Sequence, residues 1–144
     1  MKTIIISGVA GYIGSQLALN LLKKNYQIIG IDNFSNSYEK DMSNLHNFKK
    51  FKLLKRNINN INYNIFKKKK IDFFIHLAAV SSVDKANNNQ YETYKTNIIG
   101  LESAIYLAEK VKCKSFLFAS SAAVYGGVTK LPILEKNPLK SQSF

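Results

Sequence analysis

At 144 residues the chain is long enough for one domain with its own core, and its 46% hydrophobic content is ordinary for a globular protein. No run approaches the roughly twenty apolar residues of a membrane span, the first apolar run is too short for a secretory leader, and one cysteine, Cys113, excludes an internal disulfide; a cytoplasmic protein with no membrane partner is expected. The net charge of +12 raises a nucleic-acid partner, but the lysines are spread among many Asn and Ile residues, as an AT-rich coding bias produces, and no aromatic platform accompanies them, so no nucleic-acid binding is expected.

Residues 2–32 frame the rest. The apolar run 3–7 reads as a strand, and Gly8, Gly11 and Gly14 follow it. Leu17, Leu21 and Leu22 then carry a helical pattern, and a second apolar run, 27–31, ends in Asp32. Strand, glycine turn, helix, strand and terminal acid within about thirty residues form the first half of a dinucleotide-binding fold. Gly8 lets the chain turn sharply, Gly11 lets backbone approach a pyrophosphate, and Gly14 lets the helix pack closely. The helix start offers unpaired N–H groups and a positive dipole end to phosphates. Asp32 is placed to accept from a ribose 2′-hydroxyl and would repel a 2′-phosphate, which favours NAD over NADP. A glycine turn can also join strand to helix with no ligand; the acid at the next strand end is what points to a cofactor.

Residues 33–37 read as a polar loop, followed by a helical stretch to about 47 and a short third strand at 51–54. Ile61, Ile65 and Phe66 suggest a helix over 59–69, whose end would be complemented by the lysine run 67–70. A fourth strand is expected at 71–75, leading into His76, Leu77, Ala78 and Ala79. His76 is expected to anchor a loop backbone rather than to act chemically. A long helix is expected over 90–110, with Ile98, Leu101, Ile105, Leu107 and Ala108 on or near its buried face. A fifth strand, 115–119, exits through Ser120 to Gly126, and the residues after Gly126 read as loop. The expected organisation is a nucleotide-binding domain over 1–126 and a loop over 127–144. Strands alternating with helices imply right-handed crossovers and an α/β, Rossmann-type, doubly wound parallel sheet of about five strands. Ligands of such sheets sit at the carboxyl ends of the strands, where the glycine turn, Asp32, 76–79 and 120–126 all lie.

With these residues assembled, the chain resembles the extended short-chain dehydrogenase/reductase family, within it the nucleotide-sugar epimerases and dehydratases. The resemblance is carried by Gly8, Gly11 and Gly14 with Tyr12 and Ile13, by Asp32-Asn33, by His76 to Ala79, by Asn97 and Gly100, and by Ser120-Ser-Ala-Ala-Val-Tyr-Gly126. The serine motif, followed by Thr129-Lys-Leu-Pro132 and Glu135, looks most like the UDP-glucose 4-epimerases. The resemblance implies NAD as cofactor and a UDP-hexose as substrate, with inversion at the sugar C4. It implies cofactor contacts from the glycine turn with Tyr12 and Ile13, from Asp32 and Asn33, Asn57 and Ile58, Leu77 to Ala79, Asn97 and Ser120. It implies Ser121 as the catalytic serine on the sugar 4-oxygen, and Ser81 and Ser82 near the sugar phosphate. No metal site is implied, and a full-length member is expected to form a homodimer.

Two departures stand out. The family often has an acid after strand three that meets the adenine, where this chain has Asn57. The family's Tyr-x-x-x-Lys should follow the serine strand by about twenty residues, which is where Phe144 ends the sequence. Tyr63 and Lys67, Tyr91 and Lys95, and Tyr106 and Lys110 match that spacing, but all precede the serine strand and none is expected to be the catalytic pair. In the family the tyrosine, with its pKa lowered by lysine and cofactor, takes the sugar hydroxyl proton. The resemblance therefore implies an incomplete fold, without that pair and without the C-terminal substrate domain, and a chain inactive alone. An exposed edge at strand five would make it poorly soluble. A 4,6-dehydratase portion, or a non-catalytic NAD-binding module, are the alternatives; Ser121 favours the epimerase, because dehydratases resemble Thr there.

Overall fold

The computed structural model describes residues 1–67, 69–127 and 131–141. Its frame is one parallel sheet of five strands in the order β3-β2-β1-β4-β5, with β1 at Thr3–Ser7, β2 at Gln27–Asp32, β3 at Phe51–Lys55, β4 at Phe73–His76 and β5 at Ser115–Phe118. The register sets Ser7 beside both Ile31 and His76, so the carboxyl ends of the three central strands finish level. After β3 the chain crosses back over β2 and β1 to lay down β4. That reversal between β1 and β4 opens a crevice at the strand ends.

Alternation along β1 divides the core. Ile4 and Ile6 face Ala18 and Leu22 of α1 (Tyr12–Lys23) and Leu45 of α2 (Ser43–His46). Ile5 faces the other way, with Ile29, Ile31 and Phe74, onto Ala104, Leu107 and Ala108 of α5 (Gly100–Lys110). Side chains of a strand point alternately to opposite faces, so β1 can be buried along its whole length only with a helix layer on each side.

Two helices end by the same device. Asn25, at φ 70°, follows α1, where the Tyr26 N–H donates to Leu21 O and the Asn25 N–H to Leu22 O. Lys112, at φ 52°, follows α5, with the Cys113 N–H on Ala108 O and the Lys112 N–H on Glu109 O. One left-handed residue thus satisfies the last carbonyls and turns the chain toward the next strand.

The expected helix over 59–69 is not formed. Its place is taken by two short 3₁₀ turns, Ile58–Asn60 and Tyr63–Phe66. Asn57 and Asn62 cap them, accepting from the Asn59 and Asn64 N–H groups, and such Asx bonds compete with α-helix formation. Ile58 and Phe66 are buried as single anchors. The helical stretch before residue 47 is likewise a 3₁₀ turn, Glu39–Met42, and the single turn of α2. The long helix over 90–110 is present as α4 (Gln90–Tyr94), a π-helical turn (Lys95–Ile99) and α5, but Ile98 and Ile105 face solvent at 52% and 43% exposure. The π turn advances the helix by an extra residue, so one apolar stripe cannot face the core on both sides of it. A further helix, α3 (Val83–Asn88), precedes it. Lys68, Thr129 and Lys130 lie outside the described residues.

Candidate functional site

A cavity of about 420 Å³ lies along the carboxyl ends of the strands. Gly8 leaves β1 at φ 75°, and a Cβ on it would meet the Ala78 nitrogen at 2.7 Å. A Cβ on Gly14 would sit 2.2 Å from Gly8 O. Both glycines are therefore demanded by the protein's own packing. Gly11 is not: its φ of −68° suits any residue, and a Cβ there would meet only Gly8 O, at 3.4 Å. Gly11 itself lines the cavity. No side chain caps α1, and its first turn carries no acidic residue. Unpaired helix N–H groups beside bare backbone form a cradle that fits a phosphate group.

From this cradle the cavity runs in two directions. Toward β2 and β3 it is lined by Asp32, Asn33, Asn57 and Ile58; toward β4 and β5 by Leu77, Ala78, Ala79, Ser81 and Ser120. Tyr12 and Ile13, at the start of α1, line it at 86% and 68% exposure. Moving outward from a pyrophosphate at β1, a dinucleotide would meet a ribose site at Asp32 and a base site at the end of β3.

Asp32 is partly committed. Its Oδ2 accepts from the Ala10 N–H at 2.9 Å and its Oδ1 from the Phe34 N–H at 2.8 Å. Ser37 Oγ also donates to Oδ1, at 3.4 Å, so the acceptor position left for a ribose hydroxyl is the second one on Oδ2. These bonds also fix the carboxylate against the glycine turn.

Three expected site residues stand outside the cavity lining. Asn97 lies on the π turn and clamps a neighbouring loop: the Val80 N–H donates to its Oδ1 at 2.8 Å, and its Nδ2 donates to Val80 O at 3.2 Å. It thereby holds the segment that carries Ala79 and Ser81. Ser82 caps α3, accepting from the Lys85 N–H. Ser121 is exposed and accepts from the Ala123 N–H at 3.1 Å, which leaves its own proton free to donate outward. Arg56 and Thr96 also line the cavity. Arg56 could have been found from its place one residue past β3; Thr96 could not, because the π turn that aims it has no sequence signature.

His76 serves the sheet rather than the loop backbone expected of it. Its Nδ1 lies 2.6 Å from Ser7 Oγ on the adjacent strand, and its ring stacks on Phe116 and Phe118. Burial lowers its pKa to about 4, which keeps it neutral. Of the chance Tyr/Lys matches, Lys95 lies over the Tyr91 ring at 6.0 Å and Lys110 over Tyr106 at 5.0 Å; none of these residues lines the cavity.

The family model described as GDP-mannose 4,6 dehydratase matches residues 5–144. UDP-glucose 4-epimerase 2 of Arabidopsis thaliana is 30% identical over 152 residues, an overlap that covers 97% of this chain and 42% of that protein. The dTDP-D-glucose 4,6-dehydratase of Dictyostelium discoideum is 38% identical over 133 residues, covering 88% of this chain and 30% of its own length. Among solved structures, UDP-glucose 4-epimerase from Bifidobacterium longum in complex with NAD⁺ and UDP superimposes with a TM-score of 0.88 at 28% identity, covering 96% of this chain and 43% of that one. The chain thus spans less than half the length of these relatives. Among the described residues no helix is long and apolar enough to cross a membrane.

Proposed function

The chain belongs to the family described as GDP-mannose 4,6 dehydratase, and on that footing we propose that its strand-end cavity binds NAD, as the cofactor-binding part of a nucleotide-sugar 4-epimerase. The observation that carries the reading is the cradle at Gly11, where an uncapped helix start and a glycine that the fold itself does not require face the same space. On this reading the first turn of α1 receives the pyrophosphate and Asp32 the adenosine ribose. Asn57 and Ile58 border the base, and Ala78, Ala79 and Ser120 border the nicotinamide end. NAD, when bound, supplies a reversible hydride acceptor for the C4 position of a UDP-hexose. Ser121 would orient the sugar by donating its free proton to the 4-oxygen. Ser81 and Ser82 would lie toward the sugar phosphate, with Ser81 on the cavity side.

Residues 122–144 contain Tyr125 but no Tyr-x-x-x-Lys, so we propose that these 144 residues bind without turning over a sugar. Ser121 cannot act as a base at neutral pH, since a serine hydroxyl needs an adjacent base to give up its proton. The 38% identity to a 4,6-dehydratase supports a second reading, in which the same cofactor site serves dehydration. Residues 1–126 would form the binding unit in either case, and a homodimer is proposed for a full-length protein.

The test is a fluorescence titration with NADH. Saturable binding is expected from the wild type, with at least a tenfold loss in Asp32→Ala and in Gly11→Val. A folded sample that does not bind NADH would overturn the reading. Conversion of UDP-glucose to UDP-galactose by this chain alone would overturn its inactivity.

A further inference from the structure

One polar contact ties the cavity wall to a helix outside it. Lys85, in the first turn of α3, places its Nζ 2.7 Å from Asn36 Oδ1. Asn36 lies in the loop after β2 and lines the cavity, while α3 follows the loop after β4. Between β2 and β4 stands β1. The contact therefore joins segments whose parent strands lie two strand spacings apart, about 10 Å, on either side of β1, whose carboxyl end carries the glycine turn and the start of α1.

The electrostatics of the cavity make this position matter. A bound pyrophosphate would carry two negative charges, and α1 offers only its dipole and backbone N–H groups to meet them. Among the described lining residues the one basic side chain is Arg56, at the β3 end, while Asp32 adds a negative charge beside the turn. Lys85 has three donors, of which the contact to Asn36 uses one. Its partner there is a neutral amide, so the contact fixes the ammonium without neutralising it. Ser82, which caps α3 through the Lys85 N–H, sets the backbone from which the side chain reaches.

We propose that Lys85 is a phosphate-binding residue of the dinucleotide site, held above the glycine turn by Asn36 and closing over the pyrophosphate on the side opposite α1. This rests on the nucleotide reading above and adds to it a cation from outside the cavity wall. Release of the dinucleotide then requires the contact between α3 and the β2 loop to open, so Lys85 governs the dissociation rate more than the association rate.

The test compares NADH binding and dissociation for wild type, Lys85→Met, Lys85→Arg and Asn36→Ala, at low and high salt, after thermal melts without ligand have shown equal folding. Lys85 and Asn36 are both exposed, so equal melts are expected. The proposal expects Lys85→Met to weaken NADH about tenfold, mainly through faster dissociation, and Lys85→Arg to stay within about twofold of wild type. Asn36→Ala should fall between them, and the gap between wild type and Lys85→Met should narrow as salt rises. Equal affinity of wild type and Lys85→Met overturns the proposal. So does a loss in Lys85→Arg as large as in Lys85→Met, or a gap indifferent to salt, because either removes charge as the cause. A wild type that binds no NADH fails the cofactor reading itself, and is recognised before any variant is compared.

Discussion

Strands β1 and β5 are both short, parallel and rich in large apolar residues, yet their fates differ. Every residue of Thr3–Ser7 is buried, whereas in Ser115–Phe118 only Phe116 is even partly so. Leu117 is 55% exposed and Phe118 48%. The difference lies in position. β1 is the centre of the sheet, with strands on both sides and helices on both faces, while β5 is, among the described residues, an edge strand paired only with β4. Burial in this molecule follows from what surrounds a strand and not from what the strand contains. The glycine cradle is built at the well-packed strand, and the serine motif at the open one.

The largest expected effect sets the two strands against each other. Ile5→Ala, at a fully buried position, should cost about 3–4 kcal/mol, whereas Leu117→Ala should cost less than about 1 kcal/mol. Urea denaturation of both variants measures this; equal losses would mean that β5 is covered in solution.

The second contrast lies within the turn after β1. Gly14→Ala must push a methyl group into Gly8 O, and Gly8→Ala must also hold a positive φ; each should destabilise by about 2–3 kcal/mol. Gly11→Ala should leave the urea midpoint nearly unchanged while lowering NADH affinity severalfold. Destabilisation by Gly11→Ala comparable to that of Gly14→Ala would show that the fold, and not a ligand, requires Gly11.

The smallest of the three concerns the link between these strands. His76 has a folded pKa of about 4, against about 6.5 in the unfolded chain. Between these values the unfolded chain binds the extra proton, so stability rises with pH across that window. The neutral imidazole is thus fully tolerated above about pH 6.5, and the advantage is lost as pH falls toward 4. A loss of about 2 kcal/mol is expected between pH 7 and 4.5. In His76→Gln this part of the slope should vanish, leaving the acid-range loss from Asp72, whose pKa is lowered by the Thr3 N–H. An unchanged slope in the variant would remove His76 as the source.

Legibility followed the range of the interactions. The five strands, their parallel alternation with helices and the glycine turn were readable, because strand propensity, turn chemistry and apolar periodicity act over a few residues. Fourteen of the residues expected at the cofactor or sugar-phosphate site line one cavity, from Gly8 through Asp32 and Ala79 to Ser120. The stretch 59–69 was misread because Asn57 and Asn62 compete for backbone N–H groups as effectively as helix formation does. Ile98 departs from the expected stripe because a periodicity drawn at 3.6 residues per turn fails across a π turn, whereas Ile105, within α5, borders an open cavity with Cys113 and Phe116 beside β5.

The sequence by itself determined the five strands, their parallel sheet and the glycine turn after the first of them. Glycine, Asp and the apolar runs exert their effects through backbone geometry and local hydrogen bonds. Tertiary structure alone decided which glycine the fold can spare and that Asn97 works by clamping Val80. It also decided that Lys85 meets Asn36, 49 residues away in the chain. Such contacts depend on the order in which strands are laid into the sheet, and neither partner of a long-range pair carries a local signal of the other.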